Sequence, residues 1–62
     1  MEINYDLKLL KAAEVASVLN ISISQVYRLM QTGEIPTVRM NRSVRIRQVD
    51  LKEFIKSHLY IG

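Results

Sequence analysis

Two helical patterns meet within three residues of each other. Ala12, Ala13, Val15, Ala16 and Leu19 share the spacing of one helix face, and Val26, Leu29 and Met30 resume that spacing further on. Only Asn20, Ile21 and Ser22 separate them. Asn20 tolerates the left-handed backbone that ends a helix. Ser22 followed by Gln25 is a capping-box pattern, in which a hydroxyl and an amide each satisfy a free backbone N–H. The sequence predicts a first helix from about Lys11 to near Asn20 and a second from Ile23 to about Thr32. Gly33 supplies the stop, with Pro36 beyond it. So short a turn makes the pair a helix-turn-helix. The alanines let the helices approach closely, and Lys11, a poor cap, predicts a start that frays.

The flanking segments extend this unit. Ile3, Tyr5, Leu7 and Leu9 alternate with polar residues, a period of two that suggests an extended lead-in or short strand. After Pro36, Val38 and Met40 share one strand face, and Val44 and Ile46 share another. A two-residue loop at Asn41 and Arg42 would mix the apolar faces. A three-residue loop, Asn41 to Ser43, would instead pair Met40 with Val44 and Val38 with Ile46 on the core side. That register sets Arg39 opposite Arg45 on the outer face, a like-charge contact costing up to about 1 kcal/mol unless an anion relieves it. Asp50 in a first turn, then Leu51, Phe54, Ile55 and Leu59, predicts a third helix from Gln48 to His58 closing the core beneath the hairpin. Its outer side would carry Lys52, Glu53 and Lys56, while Met30 and Met40 would fill the core.

The expectation is one domain over residues 1–62, mainly α with a small β-hairpin: a winged helix-turn-helix with a possible N-terminal strand. A chain of 62 residues buries only about 60% of its unfolded surface, so stability should be marginal. No cysteine is present and His58 is the lone histidine, which argues against disulfides and zinc. No nucleophile–base pair or Gly-rich phosphate loop stands out, so neither an enzyme nor a cofactor is expected, nor a small-molecule ligand. The N-terminus does not read as a signal peptide, and no apolar run approaches the roughly 20 residues that span a bilayer. The expected location is cytoplasmic and nucleoid-associated, with no membrane partner.

Charge points to the partner. All five arginines fall between Arg28 and Arg47, a window holding one acid, Glu34, while all four lysines lie outside it. Arg presents a planar fork matching phosphates and guanine edges. With a net charge of +3 and a pI near 9.6, that cluster suggests nucleic acid.

Several ordered elements then carry a resemblance. Ser22, Ser24, Val26, Tyr27 and Arg28, followed by Gly33, Ile35 and Pro36, by the basic run Arg39 to Arg45, and by Asp50, Leu51 and Phe54, resemble the excisionase-type DNA-binding domains, relatives of the MerR-like winged helices. The match covers about Leu9 to Ile55. Three departures stand out: Asn20 replaces the usual Gly, Ile23 sits where a basic or polar residue is common, and the hairpin tip lacks its Gly. One of Asn41, Arg42 or Ser43 is therefore expected in a strained backbone conformation. MerR regulators carry a long dimerising helix after this domain, which argues against an effector-sensing dimer here.

The resemblance implies sequence-specific binding of double-stranded DNA by a small accessory factor of site-specific recombination. The implied partners are a recombinase or integrase and neighbouring copies of the chain. A transcriptional regulator of a mobile element would use the same surface, and a protein-interaction module without DNA binding is the alternative of another class. The DNA-binding candidates are Ser22, Ser24, Gln25, Tyr27, Arg28, Arg39, Asn41, Arg42, Ser43 and Arg45, with Lys11 as a further phosphate contact. Ser22 reads first as a cap, and Gln25 could read adenine but for its capping role. Ser24 and Arg28 occupy the outer helix face, with Arg28 the candidate for guanine. Tyr27 either packs on the hairpin or donates to a phosphate. Arg39, Arg42 and Arg45 suit phosphates or the minor groove, and Asn41 is a turn former.

Overall fold

The computed structural model describes residues 7–60, so Ile3 and Tyr5 of the expected lead-in lie outside the described residues. The order is β1 (Leu9–Leu10), α1 (Ala12–Leu19), α2 (Ile23–Gln31), β2 (Val38–Met40), β3 (Ser43–Arg47) and α3 (Gln48–Ser57). Three helices and a small antiparallel sheet, with strand order β1-β3-β2, make a winged helix-turn-helix. Among the described residues, no helix is long and apolar enough to cross a membrane.

Local chemistry sets the helix ends. Asn20 closes α1 at φ 57°, the left-handed conformation that Asn accepts more readily than most residues. Ser22 caps α2: its Oγ accepts from the Gln25 N–H at 3.1 Å, and the Ser22 N–H donates to Gln25 Oε1 at 3.2 Å. Such a cap is worth about 1 kcal/mol. Ile21, just before the cap, packs against the cluster containing Val26, as a hydrophobic staple does. Lys11 offers no side-chain cap, yet the start of α1 is not left open. Glu14 takes the Lys11 backbone N–H at 3.0 Å, half of a capping box. Gly33, at φ 79°, turns the chain out of α2. The Ile35 N–H then reaches back to the Leu29 carbonyl at 3.3 Å.

Val15, Val26, Ile35 and Ile46 are fully buried, and Ala12, Ala16, Met30 and Leu51 complete the core. Ala12 and Ala16 present almost no bulk, which brings α1 close to its neighbours. Leu10 pairs with Ile46, so β1 covers the β3 edge that the wing leaves open. Gln48 Nε2 donates to the Lys8 carbonyl at 3.2 Å and ties the same corner to α3.

The wing departs from its expected register. Met40 pairs with Ser43, Arg39 with Val44 and Val38 with Arg45, so the loop is Asn41 and Arg42 alone. Arg39 and Arg45 do not face one another, so the expected like-charge contact between them is absent from the hairpin. The reason is physical. Strand β2 has three residues at the sheet edge, and its Met40 is 43% exposed, so little apolar burial is at stake in its register. The turn decides instead: Asn41 adopts φ 53°, which closes a two-residue hairpin. Met40 is accordingly a surface residue, not a core filler. The stripe on α3 is also shorter than expected. Leu51 is buried and Phe54 packs on the core, but Ile55 within the helix is 44% exposed, and Leu59, beyond the helix end at Ser57, is 68% exposed. His58 caps that end, its Nδ1–H donating to the Phe54 carbonyl at 2.8 Å while its ring packs on the Phe54 ring.

Candidate nucleic-acid interface

Three elements converge on one concavity. The first turn of α1, the start of α2 and the wing enclose an open groove of about 330 Å³. Lys11 and Ala13 line one wall, Ile23 and Tyr27 the second, and Arg42, Ser43 and Arg45 the third. The N-termini of two helices therefore border the same space. The positive ends of both helix dipoles favour an anion there. The small side chains of Ala12 and Ala13 leave that backbone approachable.

The candidate cations are not spent on the protein's own acids. Among the described residues, Lys11, Arg28, Arg39 and Arg42 have no side-chain hydrogen bond or ion pair. Arg45 is half-buried and donates from Nη1 to the Val44 carbonyl at 2.8 Å, which orients the guanidinium without neutralising it. Glu34, the single acid of the arginine window, accepts from Thr32 Oγ1 at 3.0 Å rather than from an arginine. Arg47 differs. Its Nε and Nη2 clamp the two Asp50 oxygens at 2.6 and 2.8 Å, and those hydrogen bonds, with the adjacent carboxylate charge, raise its pKa further. One of the five arginines is thus a structural strut.

On α2, Ser24, Tyr27 and Arg28 are exposed, while Val26 and Met30 face the core. Three- and four-residue spacing adds Gln31 to the stripe of Ser24 and Arg28. Residue type alone does not single out Gln31, whereas helical spacing does. Ser22 and Gln25 are exposed but bonded to each other. Gln25 must break its Oε1 bond before it can grip adenine with both amide atoms. The Tyr27 ring lines the groove next to the wing, and its hydroxyl has no partner among the described residues. Arg39 is exposed on β2 and stands outside the groove lining. Asn41 and Arg42 form the wing tip. Ile23 and Ala13 are groove residues that an inventory of polar side chains could not supply.

Comparisons with known proteins agree with this architecture. Residues 9–59 match the family model described as a helix-turn-helix domain. Two Mycobacterium tuberculosis proteins, from strains CDC 1551 and H37Rv and each named "Putative DNA-binding protein", are 36% identical to the chain over 53 residues. In both, the match covers 86% of this chain and 68% of the relative. No solved structure gives a significant match. The family match spans most of the chain and contains both helices, the turn and the wing, so the chain belongs to the helix-turn-helix domain family.

Proposed function

We propose that the chain binds double-stranded DNA, with α2 in the major groove and the β2–β3 tip over the adjacent minor groove. The observation that carries this reading is the groove: two helix N-termini and the wing surround it with Lys11, Arg42 and Arg45, none of them paired with an acid among the described residues. The relatives named as DNA-binding proteins support it. In this arrangement Arg28 reads guanine, with Ser24 beside it on the outer face. Arg42 and Arg45 hold phosphates, Tyr27 donates its hydroxyl to another, and Arg39 reaches the backbone from the wing's exposed edge. Asn41 and Ser43 shape the tip, and Ser22 with Gln25 fixes the end of α2 against the duplex.

Five cations, Lys11, Arg28, Arg39, Arg42 and Arg45, would release about five counterions. Fluorescence anisotropy on random duplex DNA should then give a log–log salt slope of roughly −4 to −5. Absence of binding at low salt would overturn the reading.

Within this function the role we propose is an excisionase-type accessory factor, acting in the cytoplasm beside a recombinase. The ordered Ser-x-Ser-x-Val-Tyr-Arg helix and basic wing support that choice. One small domain contacts too few base pairs for high specificity, so neighbouring copies on directly repeated sites would supply the rest. Footprinting at rising concentration should extend stepwise over direct repeats. A tight dimer protecting an inverted repeat would replace the accessory factor with a symmetric repressor.

A further inference from the structure

We infer that Ile23 is a specificity-determining residue that reads the C5 methyl of a thymine in the major groove. The inference rests on the DNA-binding reading and adds a base preference to it. Ile23 is the first residue of α2 and is 48% exposed, lining the groove that Lys11, Arg42 and Arg45 also border. The fold makes little use of it. At this helix start it is Ile21 that packs against the core cluster, and the core side of α2 is Val26, Leu29 and Met30. Water over an exposed isoleucine is unfavourable, and contact with an apolar group relieves that cost. Among major-groove base edges, the thymine methyl is that group. Ile23 sits one turn before Tyr27, and both line the groove together with Ala13, so an apolar wall stands beside the arginines. Its β-branch restricts χ1, so little side-chain freedom is lost on contact.

The test begins by selecting sites from a randomised duplex library with the wild-type protein. Each thymine of the enriched site is then replaced by deoxyuridine, which removes the methyl alone. Affinity should fall about three- to fivefold at one or two positions, the scale of one buried methyl group, and 5-methylcytosine should restore part of the contact at those positions. With Ile23→Ala, the same replacements should cost nothing. A site that tolerates deoxyuridine throughout overturns the inference and leaves DNA binding intact. So does a penalty that persists unchanged in Ile23→Ala. A library that enriches no site overturns sequence-specific binding itself, and the inference with it.

Discussion

Arg45 and Arg47 stand two residues apart on β3 and project to the same face, yet the molecule uses them differently. Arg47 lies at the junction with α3, where Asp50 is buried in the first turn and binds it through two short hydrogen bonds. Arg45 lies one step nearer the wing tip, bonded to a carbonyl that leaves its charge whole. The α3 end of the strand therefore holds the fold with its cation, and the wing end leaves its cation without an acid partner among the described residues. A count of arginines overstates the available charge, because one acid three residues along removes a member from the set.

The largest effect should come from the residue between them. Ile46 points to the opposite face and is fully buried, so Ile46→Ala removes the support common to both arginines. The expected loss is about 2–5 kcal/mol, a large part of what a domain of this size has. Urea denaturation would measure it. A loss below about 1 kcal/mol would mean that the strand is held by its ends and that the two regions are independent.

Arg28→Ala comes next. On a selected site it should cost about 1–3 kcal/mol, and on random duplex much less, because a base contact carries sequence information. Competition titrations against both DNAs separate the terms. Equal losses on the two would make Arg28 another phosphate ligand and extend the wing's role onto α2.

Variants of the wing tip and of β3 separate the two ends of the strand. Arg45→Ala should weaken binding to every duplex by about 1 kcal/mol and make the salt slope shallower by about one unit, and Arg42→Ala should do the same. Arg47→Ala should leave the slope unchanged and lower the melting temperature instead. A change of slope in Arg47→Ala would show that Asp50 releases the guanidinium when DNA arrives, and the division between the two ends would be lost.

What could be read from the sequence was local. Ser22 with Gln25, Asn20 and Gly33 act within one turn of the chain, so their residue types already state the geometry. The groove is not local. Lys11 and Ala13 meet Arg42 and Arg45 only because α1 packs beside β3, and no spacing rule joins segments so far apart. Arg47 and Asp50 are near neighbours, but an acid in a first turn suits the helix dipole as readily as it suits an arginine, so its residue type does not reveal the pairing. The wing register failed for a different reason. Matching apolar faces is a sound rule where burial is large, and Val38 and Met40 bury too little for it to govern.

Asn41 is where turn chemistry outweighed that rule, and the smallest predicted effect tests why. At φ 53° an asparagine is tolerated, while glycine meets no steric cost. Asn41→Gly should therefore stabilise the native turn by up to about 0.5 kcal/mol, less whatever glycine adds to the entropy of the unfolded chain. Asn41→Val should do the reverse by about 1 kcal/mol or more, since a β-branched side chain fits that region poorly. If the two-residue turn fixes the register, Asn41→Gly leaves the salt slope of DNA binding as it was, because Arg42 and Arg45 keep their places on the wing. Cross-strand backbone NOEs between Val38 and Arg45 would report the pairing directly. If they were replaced by contacts between Val38 and Ile46, apolar burial would be setting the register after all. Arg39 and Arg45 would then face each other on the outer side, and the charge available at the wing would have to be counted again.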